Sequence, residues 1–192
     1  MKKIPTLFQR NYETDRMVRD EVVEGCHWVL AGEGVATRKF DGACTMVKNA
    51  VFFNRYELKS GKIAPENFVP ADTDPLNGNV VGWVPVMNKP EDEWFRVAIT
   101  NSEYNDGGQP KFLADGTYEA CGPHFQGNPE GFLVDSLVRH GQDVLALVPR
   151  DFLGLRSYLA AVNVEGIVFW HPDGRMAKIK TRDYGFKRVK PC

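Results

Sequence analysis

Lys39-Phe40-Asp41-Gly42 places a primary amine two positions from a carboxylate, at the end of a β-like run, Val35-Ala36-Thr37. A lysine amine is protonated in water and must lose that proton before it can attack phosphorus. Neighbouring cations or a metal lower its pKa and make the attack possible. Taken alone, the tetrapeptide reads equally well as a tight hairpin turn built on Asp-Gly. The residues that follow extend the pattern: Arg55, Tyr118-Glu119, Glu165-Gly166-Ile167-Val168 and Lys178-Ile179-Lys180. Nucleotidyl transfer to a lysine needs this inventory. Acids hold a divalent metal, and cations neutralise a phosphate as it becomes pentacovalent. At alternate strand positions Lys178 and Lys180 face the same way and can reach one phosphate; an exposed strand face is the other reading of that pair.

The elements that must position these residues are short and mostly extended. Val35-Ala36-Thr37, Met46-Val47 and Val51-Phe52-Phe53 read as strands, and Met17 to Glu24 as a short helix or strand leading into Trp28-Val29-Leu30. Five prolines between Ala64 and Pro90 exclude a long helix and predict an irregular excursion there. Tyr104 to Gly116 reads as a hairpin or loop, and Thr117 to Ala120 as a strand that stops at Gly122-Pro123. Asp143 to Val148 is expected to be a strand. A helix is expected over Asp151 to Ala161, with Leu153, Leu155, Tyr158 and Leu159 on its apolar face. Gly166 to Trp170, the turn Pro172-Asp173-Gly174 and Met176 to Ile179 form a β-hairpin pattern. The coarse expectation is a mixed α+β fold with antiparallel sheets.

Composition supports a globular reading. The chain has 192 residues, of which 43% are hydrophobic and 26% charged, enough for one well-buried core. No apolar run approaches the ~20 residues of a membrane-spanning helix. The basic N-terminus leads into polar residues instead of a signal segment, and Cys26, Cys44, Cys121 and Cys192 lack paired spacing. A cytoplasmic protein with reduced thiols is therefore expected. The 24 basic and 25 acidic residues nearly cancel, yet Arg175 to Lys190 holds seven bases and one acid, Asp183. That leaves 17 bases against 24 acids elsewhere, so a basic patch sits on an acidic body. It suits an anionic ligand such as a nucleotide or a nucleic-acid backbone, or else it is a solvated tail.

As an ordered set these motifs resemble the covalent nucleotidyltransferase superfamily of ATP-dependent DNA ligases, RNA ligases and mRNA capping enzymes. Lys39-Phe40-Asp41-Gly42 looks like motif I, Arg55 like motif Ia, and Tyr118-Glu119 with Gly122 like motif III. Glu165-Gly166-Ile167-Val168 looks like motif IV and Lys178-Ile179-Lys180 like motif V. More closely, the chain is similar to the small stand-alone ATP-dependent 5′–3′ RNA ligases. The stretches that carry this are Trp28 to Thr37, Gly82-Trp83-Val84-Pro85-Val86, Gly127-Asn128-Pro129-Glu130-Gly131 and Glu165 through Gly185. The resemblance implies an ATP-grasp-like adenylation domain over residues 1–192, with two antiparallel sheets flanked by helices. No OB domain is expected, since the sequence stops soon after motif V. It further implies ATP and Mg²⁺ (or Mn²⁺) as cofactors, RNA 5′-phosphate and 3′-hydroxyl ends as substrates, no membrane partner, and a monomer.

Carried over residue by residue, the resemblance makes Lys39 the nucleophile that takes the adenylyl group. Asp41 would organise the lysine and the metal's hydration, and Arg55 would contact the ribose or the acceptor phosphate. Glu119 would bind ribose or metal, Glu165 metal, and Lys178 and Lys180 the α-phosphate. Thr37, Arg38 and Gly42 join the nucleotide-binding set, Arg38 standing where relatives commonly carry an acid. DNA nick sealing, guanylyl transfer and a catalytically idle RNA- or nucleotide-binding module are the competing readings. Structural zinc is not expected, because Cys121-x-x-His124 has no second pair at metal spacing. His124, His140 and the four tryptophans read as satisfied polar or core residues.

Overall fold

A computed structural model of the chain describes residues 3–75, 77–103 and 112–189. Strands β1 (Phe8–Arg10) and β2 (Val18–Val22) precede a single helical turn, α1 (His27–Leu30). Then come β3 (Val35–Lys39), β4 (Ala43–Lys48), β5 (Val51–Leu58), β6 (Val69–Thr73) and β7 (Val80–Pro85). A 3-10 turn, Pro90–Asp92, leads into α2 (Glu93–Glu103), followed by β8 (Gly116–Cys121) and β9 (Ser136–Arg139). The chain finishes with α3 (Phe152–Ala161), β10 (Gly166–Trp170), β11 (Met176–Lys180) and a 3-10 turn, Thr181–Tyr184. The fold is mixed α and β, mostly sheet with few helices. Among the described residues no helix is long and apolar enough to cross a membrane.

The chain divides into two compact units, one drawn from Asp41–His140 and the other from Ile4–Phe40 and residues 141–189. The second unit holds a three-stranded antiparallel sheet in the order β11-β10-β3 and the ribbon β1-β2. Ala36, Ile167, Phe169, Ala177 and Ile179 alternate along that sheet onto one face, where they are buried with Leu155 and Leu159 of α3. Each fully buried Ile, Leu or Phe side chain contributes roughly 1.5–3 kcal/mol. Asp151 starts α3 by accepting a hydrogen bond from the Gly154 amide at 2.8 Å. Asp183, the lone acid of the basic stretch, is buried and ion-paired with Arg10 at 2.5 Å. Its other oxygen accepts from the Lys180 amide, which pins the end of β11.

The first unit is a six-stranded antiparallel sheet in the order β6-β7-β5-β4-β8-β9. Partners placed directly opposite share a face, so Ala43, Ala120 and Leu137 line up across three strands. They pack with Phe95 and Ala98 of α2 and with Phe125. The carboxylate of Asp92 accepts from the Met87 amide at 2.8 Å and from Asn54, fixing the entry to that helix.

Several sequence expectations need correction. Lys39-Phe40-Asp41-Gly42 is not a hairpin turn, because β3 and β4 belong to different sheets. The excursion from Ala64 to Pro90 is helix-free but not wholly irregular, since it contains β6 and β7. Pro70 is tolerated because β6 is an edge strand, and Pro85 because it ends β7. Asp143 to Val148 is not a strand: Val144 makes one isolated bridge to Thr37, and Leu147 turns into the left-handed region at φ 55°. Leu153 is 66% exposed because Phe152, Leu155 and Leu159 occupy the inward stripe of α3. Helix α2 has no counterpart in the sequence expectations, although Pro90 at the start of its leading turn marks a helix entry. A third sheet, β1-β2, adds to the two expected. The loop expected over Tyr104 to Gly116 lies mostly outside the described residues, as does Cys192.

Candidate functional site

In the three-stranded sheet, Gly166 stands opposite Lys39 on one side and Lys180 on the other. Val168 likewise stands opposite Thr37 and Lys178. Lys39, Lys178 and Lys180 therefore share the face opposite the apolar core. Gly166 is required by close approach: a Cβ there would run into the Ile179 carbonyl oxygen and lie 2.8 Å from the Lys180 Cα. Glu165, just ahead of β10, turns onto the lysine face. One of its oxygens accepts from Lys39 Nζ and the other from Lys180 Nζ, both at 2.5 Å. The Thr181 amide donates to the Glu165 carbonyl oxygen at 2.9 Å and holds the backbone there.

Three ammonium groups around one carboxylate leave this face positive. Burial pushes Glu165 up, but Lys39 and Lys180 together hold its carboxyl below the ordinary 4.5. Burial, then the charges of Lys180 and Lys39, bring Lys178 down to about 8. A cluster of amines that crowds its own charge in this way is suited to a multiply charged anion such as a phosphate chain. Thr37 lies on the same face but is buried. Its hydroxyl accepts from the Trp170 indole at 2.8 Å and donates to the Val168 carbonyl oxygen. Arg38 alternates to the other face, with its guanidinium 4.7 Å from the centre of the Phe40 ring.

The remaining expected residues lie in the six-stranded unit. Glu119 on β8 is directly opposite Cys44 on β4, and the β4–β5 register carries the same face on to Arg55. That face is the one opposite α2. The Arg55 guanidinium lies 5.7 Å from the Trp83 ring centre, within cation–π range. Glu119 is buried, and both of its oxygens have partners. One accepts from the Gly42 amide at 3.1 Å, and the other faces His140 Nε2 at 2.8 Å. Gly42 is also demanded by space, since a Cβ would meet the Ala120 carbonyl oxygen on β8. The Asp41 amide donates to Glu130 at 2.9 Å, which gives the Gly127 to Gly131 stretch a positioning role.

Each unit thus gathers its own share of the expected residues: Lys39, Glu165, Lys178 and Lys180 in one, Gly42, Arg55 and Glu119 in the other. Asp183, Cys44 and His140 complete these clusters and were not among the sequence candidates. Asp183 had a signal, as the single acid in a basic run. Cys44 and His140 had none, being 75 and 21 residues from the carboxylate they approach. No protein-family model matches the chain, and no curated protein matches it significantly.

Proposed function

We propose that the chain is an ATP-dependent RNA ligase with an ATP-grasp-like adenylation fold, acting through a lysyl-AMP intermediate. The observation that carries this reading is the face of three lysines around Glu165, with Lys39 at the end of its strand. In the first step the Lys39 amine, having given its proton to solvent, attacks the α-phosphorus of ATP. A P–N bond forms, the bond to the bridging oxygen breaks, and pyrophosphate leaves. Lys178 and Lys180 stabilise the charge that builds on the α-phosphate oxygens. An RNA 5′-phosphate then takes the adenylyl group from Lys39, and a 3′-hydroxyl displaces AMP to form the phosphodiester.

The ion pair between Lys39 and Glu165 is the resting partner that the nucleophile must leave. A phosphate chain arriving on Lys178 and Lys180 competes for the same ammonium groups and favours that exchange. Asp41 and Glu119 in one unit, and Glu165 in the other, are each oxygen donors of the hard type that magnesium prefers, and each would serve as a ligand within its own unit. Bound there, it supplies neutralisation of the phosphate oxygens. Arg55 is assigned to the ribose or the acceptor phosphate and Glu119 to the ribose or metal, supported by their common sheet face.

The test is the intact mass of the protein after incubation with ATP and Mg²⁺, with GTP in parallel. One adenylyl group is expected on the wild type and none on Lys39→Ala. No adduct on folded protein free of prior adenylylation would leave an anion-binding module as the reading, and an adduct on Lys39→Ala would remove Lys39 as nucleophile.

A further inference from the structure

Cys44, Glu119 and His140 each offer one ligand atom, and all three atoms lie within 4.8 Å of one another. From this geometry we infer a binding site for a borderline-soft divalent cation of the zinc class, which goes beyond the ligase reading and shares only Glu119 with it. The donors come from adjacent positions of one sheet: Cys44 on β4, Glu119 directly opposite on β8, and His140 one residue beyond β9. Such a platform holds ligands without loop closure. Glu119 is 7% exposed, while Cys44 and His140 are partly buried, so the site is neither a surface acid patch nor sealed.

The surroundings are arranged as they are around a metal. His140 Nδ1 lies 3.0 Å from Thr117 Oγ1; if it donates there, the Nε2 lone pair points at the Glu119 oxygen 2.8 Å away. Two lone pairs cannot face each other without a cation between them, either a proton or a metal ion. The Gly42 amide orients the second Glu119 oxygen at 3.1 Å. Bonds of this kind, from the imidazole N–H to an oxygen and from an amide to the carboxylate, are the outer-shell contacts that fix ligands around zinc. Tetrahedral zinc with sulfur at ~2.3 Å and nitrogen or oxygen at ~2.1 Å separates its ligand atoms by about 3.4–3.6 Å. The present spacing reaches that range with small side-chain shifts. Thiolate and imidazole together select zinc or cobalt over magnesium, and three protein ligands leave a fourth position for water.

The experiment is a cobalt(II) titration of the chelator-treated full chain in the absence of nucleotide. Expected is saturation at one equivalent, with a thiolate-to-cobalt charge-transfer band that zinc abolishes and excess magnesium does not. Cys44→Ser should remove the band. Thr117→Val, which touches no ligand atom of the metal, should weaken binding roughly tenfold or more. Cys26→Ser should leave the titration unchanged. Absence of a charge-transfer band at stoichiometric cobalt overturns the site, as does a band that survives Cys44→Ser in folded protein. Because no nucleotide is present, failure here leaves the adenylylation test untouched.

Discussion

Replacing Lys178 with methionine should stabilise the protein at neutral pH. Lys178 is drawn from its ordinary 10.5 to about 8 by burial and by Lys180 and Lys39. At ~1.4 kcal/mol per pH unit, keeping this side chain charged costs the folded state about 3 kcal/mol at pH 7. The sign follows from linkage. The unfolded chain binds the proton more tightly, so wild-type stability rises with pH between about 8 and 10.5. A methionine of similar reach has no such proton. The variant should therefore lead by about 3 kcal/mol at pH 7, by about 2 kcal/mol at pH 9, and by almost nothing beyond the ordinary lysine range. Urea unfolding followed by tryptophan fluorescence at several pH values measures the gap, provided the m-value stays constant. No gain at pH 7, or a gain that persists undiminished at pH 11, would refute crowding of charge as its source. The same variant should lose phosphate affinity, so stability and binding should move in opposite directions.

Glu165→Gln removes the carboxylate that bridges Lys39 and Lys180, and should cost roughly 3–5 kcal/mol near neutrality. Because Glu165 is held below 4.5 in the folded state, its contribution is complete above that value and fades as pH falls through the folded pKa. Chemical denaturation of the two proteins should therefore converge in acid; a pH-independent difference would exclude the ion pairs as the cause. Gly166→Ala forces a Cβ against the Ile179 carbonyl oxygen and should lower stability by roughly 1–3 kcal/mol. An unchanged thermal midpoint would mean that β10 and β11 separate freely at that point.

The elements legible in the sequence are those whose cause is local. The pairing of β10 with β11 was readable because alternating apolar residues flank Pro172-Asp173-Gly174, and a tight turn sets the register of the strands it joins. The same alternation put Lys178 and Lys180 on one face. Asp151 and the leucines behind it announced α3, although which leucines face inward depended on the sheet it packs against. Residues 143–148 look like a strand by composition and fail as one because Leu147 turns away after a single bridge.

Long-range pairing was not legible. Residue types, their order along the chain, and the local turns and strands that carry them follow from the primary structure. Folding of the whole chain is what sets β3 beside β10, which brings Lys39 to a carboxylate 126 residues away. It likewise decided that Cys44, Glu119 and His140 meet, through the pairing of β4, β8 and β9. The physical reason is that turns and periodicity act over a few residues. Strand partners far apart in sequence are chosen by burial of the whole core, which no single segment encodes.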